Sequence, residues 1–297
     1  MLDVTKPGLY AFPLFLALIA LEAWWFARRG RGSYPWADAA ASFAVAIGYK
    51  LSTALNPLIV GGLFVWVWEH RLATVPLDTW WGIPLLFVAV EFAYYWFHRF
   101  NHEIRWIWAT HAVHHSPKDL TFSAAYRLGW TGLISGGWLV FLPLVLVGFH
   151  PVAIFTALGL NLVYQFWLHT EMIGKLGVLE WVLNTPSHHR VHHAVNPGYL
   201  DRNYGGVVIV FDRLFGTFAA ERAAEPCRYG LVKPNESRNP LRIAFNEWMG
   251  IGRDLRRAHG WRARFLVCFG RPGQAFATKP AEAPTGAIVA ASSRPAW

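Results

Sequence analysis

The sequence predicts an all-α protein, with four or five polytopic membrane helices carrying a cytosolic, histidine-rich helical cap. Three observations predict it. Apolar runs approach the length of about 20 residues that carries a helix across the hydrocarbon core. Charged residues make up 15% of the chain and hydrophobic ones 54%, whereas soluble domains carry about 25% charge. Histidines recur at three- and four-residue spacing, which puts them on shared helix faces. The mean hydropathy of +0.27 and the 17 tryptophans fit the same class, since large amphipathic rings favour the two membrane–water interfaces.

The first apolar run extends from Leu9 to about Ala27. Its cations Arg28, Arg29 and Arg31 follow the run, the reverse of a secretory signal, so it reads as a retained anchor. The second lies within Ala39–Trp68 and is long, with Asn56 and Pro57 placed to kink or break it. The third covers Trp80 to about Phe97, the fourth about Leu128 to Phe149, and the fifth Val152 to about Leu168. The GFHP stretch at 148–151 turns the chain between the last two. Gly132, Gly136 and Gly137 permit close helix packing in the fourth.

Loop charge orients these runs. Arg28, Arg29 and Arg31 follow the first. Arg99, Arg105, Lys118 and Arg127 separate the third from the fourth, and 17 of the 27 Lys and Arg residues follow the fifth. Positive loops stay cytoplasmic, which places the N-terminus outside and the C-terminal third inside. The formal charge of +9 raises nucleic acid as a partner. Basic residues beside apolar spans fit anionic headgroups better, and no nucleic-acid partner is expected. Cys227 and Cys268 are far apart and in no metal-ligand spacing, which excludes a disulfide scaffold and a cysteine zinc ribbon.

The organisation expected is membrane spans over 1–79, a catalytic domain over 80–220, a helical region over 221–270 and a disordered tail over 271–297. In 240–258, Leu241, Phe245, Trp248 and Leu255 lie near helical spacing. Arg253, Arg256 and Arg257 fall on other faces, as in an interfacial helix or a docking helix of the cap.

The histidines carry the chemistry. His98 and His102 stand in HRFNH, His111, His114 and His115 in HAVHH, and His188, His189, His192 and His193 in SHHRVHH. His169 closes the fifth run. Sixteen positions hold nine of the 13 histidines, where the mean frequency would give about 0.7. Residues three or four apart share a helix face, so each box is expected to aim two or three imidazoles at one centre. Neutral imidazole is the commonest side-chain metal ligand. All the boxes and His169 fall on the cytoplasmic side by the loop charges. Four ligands satisfy a structural zinc, so eight to ten imidazoles imply two metals. Imidazole alone does not separate iron, zinc and copper. Lone residues such as His70, His150 and His259 read as interfacial or capping. His188 is balanced between ligand and orienting donor.

The set HRFNH, HAVHH and SHHRVHH resembles the fatty acid hydroxylase/sterol desaturase superfamily of membrane di-iron enzymes. Its pattern is H-x3-4-H, H-x2-H-H and H-x2-H-H. HE at 102–103, QFWLHTE at 165–171, NTPSHHRVHH at 184–193 and NYGGVVIVFDRLFGTF at 203–218 look like the branch that includes alkylglycerol monooxygenase and related bacterial sterol-desaturase-like proteins. The resemblance covers roughly 80–220. It implies two iron ions (Fe2+/Fe3+) held by His98, His102, His111, His114, His115, His189, His192 and His193, with His169 a further ligand. It implies that Glu103, a catalytic-site residue set beside the ligands, Asn203 and Asp212 match family positions; Asp212 and Arg213, in FDRLFG, are expected to hold the cap together.

The function this implies is oxygen-dependent hydroxylation of a lipid C–H bond, with desaturation by the same centre as the alternative. The partners expected are a membrane lipid, dioxygen and a separate electron-transfer protein or reductant of unspecified identity. A different class, a histidine-rich metal transporter, expects ionisable residues through the spans. Lys50 and Glu91 are the candidates there, and the sequence offers neither a partner. A haem-binding electron carrier expects histidines deep in facing helices, not in surface boxes.

Overall fold

A computed structural model describes residues 7–30, 32–54 and 56–273, with side chains from residue 11 onward. Most of the expected tail, 274–297, lies outside the described residues.

Twelve helices follow one another, with no strand among the described residues: α1 (Pro7–Arg28), α2 (Trp36–Ser52), α3 (Asn56–Glu69), α4 (Gly82–Glu103), α5 (Arg105–His111), α6 (Gly132–Ser135), α7 (Leu142–Val147), α8 (Pro151–Phe166), α9 (Pro186–His193), α10 (Val210–Leu214), α11 (Pro240–Arg257) and α12 (Trp261–Phe269). Short 3-10 turns at Phe122–Tyr126, Gly137–Phe141 and Gly177–Trp181 join some of them.

By length and composition, α1 alone among the described residues can cross a membrane, through Ala11–Arg28. A second crossing exists if α2 and α3 count as one, bent by 54° where Asn56 starts the new helix. The expected fourth run is not one helix. Gly136 at φ +73° and Gly148 at φ +120° take left-handed backbone that a helix interior does not use. The stretch therefore divides into α6, a 3-10 turn and α7. The 16 residues of α8 reach about 24 Å, short of the roughly 30 Å hydrocarbon core.

Helix α4 positions the site. Leu86, Val90, Tyr94, His98 and His102 step along one buried face at four-residue intervals. The face is thus apolar core at its start and imidazole at its end. Ile83, Leu85, Phe87, Val88 and Phe92 point outward. The apolar part packs with Val60 and Phe64 of α3, Val145 of α7 and Ile154 of α8. A second cluster joins Ile19 of α1 to Phe122 and Phe166. Glu22 fastens α1 there: its carboxylate accepts the backbone N–H of Phe122 at 2.8 Å, the Tyr34 hydroxyl at 3.2 Å and the Thr170 hydroxyl at 2.5 Å. In the cap, Ala109, Ile251, Ala258 and Val267 bring α5, α11 and α12 together. Burial of Ile251 and Val267 contributes about 1.5–3 kcal/mol each.

Candidate metal centre

Nine imidazoles converge from four stretches of chain. His98 and His102 end α4, His111 ends α5, and His114 and His115 lie in the turn that follows. His169 follows α8, and His189, His192 and His193 come from α9. They form two groups in which the ligand nitrogens all lie within 4.8 Å of one another: His98, His102, His111, His115 and His192, and His114, His169, His189 and His193.

The boxes do not each serve one centre, as their spacing suggested. HAVHH gives His111 and His115 to the first group and His114 to the second. HHRVHH gives His192 to the first and His189 and His193 to the second. Consecutive helical residues diverge by about 100°, so His192 and His193 of α9 separate between two neighbouring points. The groups share a wall, where the rings of His115 and His193 stack at 4.3 Å.

His188 is brought into neither group. Helix α9 is two turns long, and His188 sits one turn behind His192. Its ring meets Phe218 at 5.3 Å, and its Nε2 lies 3.8 Å from Glu180 Oε2. Glu180 in turn accepts from Ser187 Oγ and the Leu176 amide. Glu103 bonds to Arg99 at 3.1 Å and Arg271 at 3.4 Å, so its carboxylate is held by guanidinium groups. His150 caps α8 through the Val152 amide, and His70 bonds the Trp66 carbonyl.

Backbone carbonyls fix the tautomers. The Nδ1 of His98 lies 2.9 Å from Tyr204 O, that of His169 2.9 Å from Gln165 O, that of His192 3.0 Å from Arg202 O and that of His114 3.3 Å from Arg127 O. A carbonyl oxygen only accepts, so each Nδ1 carries the proton and each Nε2 of a neutral ring presents a lone pair. The Nε2 atoms of His114 and His169 then face each other at 3.2 Å, lone pair to lone pair. Protonating one ring would make this a hydrogen bond. Burial, then the neighbouring imidazoles, hold His114 well below its ordinary 6.5. The same causes lower His111, His115, His189, His192 and His193. His102 Nε2 and His192 Nε2 are buried with no hydrogen-bond partner among the described residues. Lone pairs aimed together in a desolvated pocket fit a cation, the second partner expected of histidines oriented through their other nitrogen.

The loop after α9 supplies two of those orienting carbonyls, Arg202 and Tyr204. Asn203, at φ +58°, donates from Nδ2 to His188 O and Ala219 O. Asp212 accepts from the amides of Tyr204 and Gly205, each at 2.7 Å, and from Thr217 Oγ1. Burial pushes the Asp212 carboxyl up to about 6, against the pull of those hydrogen bonds. Asp212 thereby shapes the turn whose Tyr204 carbonyl aims His98.

Arg190 was silent in the sequence although it lies inside the third box. Its guanidinium takes both oxygens of Glu221, at 2.7 and 2.8 Å, and donates to the carbonyls of Thr170 and Ile173. It joins α9 to the segment that carries His169. Arg127 likewise spans Ser42, Asp38 and Ser116 while its carbonyl aims His114. A basic residue inside a metal-binding box is the one signal that could have marked Arg190.

A cavity of about 190 Å³ opens onto His102, His115, His192 and His193. Trp108, Leu200, Asp201 and the 230–232 segment line it on the cap side.

Residues 83–217, which contain the nine converging histidines and His188, match the fatty acid hydroxylase family model. Alkylglycerol monooxygenase of Homo sapiens is 38% identical over 268 residues, covering 89% of this chain and 59% of the relative. That of Xenopus tropicalis is 40% identical over 212 residues, covering 71% and 46%. An ornithine lipid hydroxylase of Rhizobium tropici is 31% identical over 137 residues, covering 46% and 41%. The chain thus spans about half the length of these relatives. No solved structure matches it.

Proposed function

We propose that the chain is a membrane-embedded di-iron oxygenase that hydroxylates a lipid C–H bond with dioxygen and external electrons, a reading supported by the match of residues 83–217 to the fatty acid hydroxylase family model. The observation that carries this reading is the pair of imidazole groups, five and four rings, sharing the His115–His193 wall. One iron is assigned to His98, His102, His111, His115 and His192, and the other to His114, His169, His189 and His193. When bound, the irons supply activation of dioxygen, the hard part of the chemistry.

The residues of the chain do the rest. Four backbone carbonyls hold the Nδ1 protons of His98, His114, His169 and His192, which keeps their Nε2 lone pairs inward. The two groups are buried, which keeps bulk water from the reacting carbon. The cavity of about 190 Å³ on the cap side suits dioxygen and small solutes, so a long-chain lipid approaches from the apolar helices. Electrons are assigned to a donor outside this centre.

The surrounding apolar helices are read as embedded in the membrane, crossing it several times. The cation-rich loops on either side of the histidine boxes support a cytoplasmic face for those boxes. Two relatives are named for alkylglycerol and one for ornithine lipid, so glycerol ether lipids are the first substrates to test. A metal transporter is disfavoured by Glu91: its carboxylate is engaged by Asn161 and the amides of Val207 and Val208, not turned to a passing cation.

The test is to supply membranes bearing the protein with 18O2 and lipid and to follow products by mass spectrometry. Gain of one labelled oxygen is the expected outcome, and loss of two hydrogens would instead assign a desaturase. His114→Ala and His192→Ala, one from each group, should each abolish turnover. Full activity in both would overturn the reading.

A further inference from the structure

Helices α11 and α12 repeat one surface pattern that the metal centre does not use. In α11, Leu241, Phe245 and Met249 are exposed at four-residue steps. In α12, Trp261, Phe265 and Phe269 are exposed at the same steps, Trp261 at 73%. Residues four apart share a helix face, so each helix shows solvent an apolar stripe.

The charges around these stripes have one sign. Arg242, Arg253, Arg256 and Arg257 of α11 and Arg262 and Arg264 of α12 are all exposed. None of the six forms an ion pair among the described residues. The only carboxylates of the two helices, Glu247 and Asp254, are turned inward. Arg105 takes them at 2.8 and 2.7 Å. A surface of apolar stripes and uncompensated arginines remains.

The pair sits beside the apolar helices. Helix α11 packs on α2 and α5, and α12 packs on α5. The Phe245 ring lies 6.0 Å from Trp130, and Trp248 donates to Thr131 Oγ1 at 2.8 Å. With nine residues, α12 is too short to cross a bilayer. A helix that shows an apolar face and arginines lies in the plane of the interface.

We infer that α11 and α12 form an interfacial platform that rests on the inner leaflet and binds anionic phospholipid headgroups through Arg242, Arg253, Arg256, Arg257, Arg262 and Arg264. The inference rests on the membrane reading above and not on the metal chemistry. Each arginine near an anionic surface is worth roughly a fivefold change in association. The platform adjoins α5, which ends in His111, so leaflet composition bears on how the cap sits over the centre.

The test uses the full chain in lipid nanodiscs, with Cys227 and Cys268 changed to serine and one nitroxide at Phe265→Cys. A second label at Leu14→Cys on α1 is the reference. In discs containing phosphatidylglycerol, the position 265 label should be more accessible to oxygen than to a water-soluble nickel chelate. Arg256→Gln with Arg257→Gln should lower the docked-to-undocked ratio about 25-fold, with an unchanged unfolding temperature as the control for folding. A label at 265 that reads aqueous while that at 14 reads hydrocarbon would overturn the platform alone. Labels aqueous at both positions would overturn the membrane reading with it. A label at 265 shielded from both reagents would assign the surface to a protein partner and overturn the inference.

Discussion

Glu91, midway along α4, accepts the backbone amide of Val207 at 2.8 Å across 116 residues of chain. The same oxygen takes the Val208 amide at 3.0 Å, and the other takes Asn161 Nδ2. Asn161 Oδ1 accepts from Gln165, whose side-chain oxygen takes the Tyr94 hydroxyl and whose backbone carbonyl takes His169 Nδ1. One carboxylate therefore ties α4, α8 and the loop after the third histidine box together. Glu91→Ala leaves these donors without an acceptor and should cost about 3 kcal/mol or more. Glu91→Gln should cost less, because Asn161 and Gln165 can flip their amides together. The unfolding temperature of purified protein checks both, and equal stability of the alanine variant and the wild type would contradict the role.

Gly206 touches the same relay. A Cβ there would stand 2.2 Å from Asn161 Nδ2, whose side chain is already bonded on both sides. Gly206→Ala should therefore lower the yield of folded protein sharply, by about 1–3 kcal/mol of overpacking or more. Gly61→Ala meets nothing within 4 Å and should be tolerated. Size-exclusion profiles of the two variants decide the contrast.

Metal content should follow the grouping and not the boxes. His98→Ala removes a ligand from the five-ring group and His169→Ala one from the four-ring group. Each should lower iron from two to about one per chain, with the larger loss for His169→Ala, which leaves three imidazoles. His188→Gln should keep both metals, because His188 meets Glu180 and Phe218 outside the groups. Elemental analysis after desalting is the measurement, and loss of iron from H188Q would place that residue among the ligands.

Acid should unfold the metal-free protein early. Burial holds His111, His115, His189, His192 and His193 well below 6.5 when folded, while in the unfolded chain they return to about 6.5. Below that pH the unfolded state binds more protons, so stability falls as pH falls. Above it the folded rings lose nothing. Each ring contributes up to about 1.4 kcal/mol per pH unit. The unfolding temperature should be flat from pH 8 to 7 and drop below about 6.5. Iron should move the drop to lower pH, because metal and proton compete for Nε2.

Much of this was legible in the sequence. The nine clustered histidines and His169 stood out by spacing, and the turn at 148–151 by its glycine and proline. The platform helix was legible as amphipathic, though not which way its acids face. The fate of the fourth apolar run was not legible, because hydropathy reports transfer to oil and not the left-handed backbone at Gly136. Glu91 read as a carboxylate without a partner, and Glu22 gave no signal at all. Their partners are backbone amides and polar side chains far off in the chain.

The sequence by itself determined the donor set, its helical spacing and an all-helical chain, because each follows from residue type and local periodicity. The tertiary structure decided how the imidazoles are shared. Adjacent histidines diverge by about 100° on a helix, so whether His192 and His193 of α9 meet one point or two depends on what α4, α5 and the segment after α8 bring opposite them. It also decided that His188 faces Glu180 and that the protons of His98, His114, His169 and His192 sit on Nδ1. Those outcomes hang on carbonyls and carboxylates distant in sequence, and only the packed chain places them.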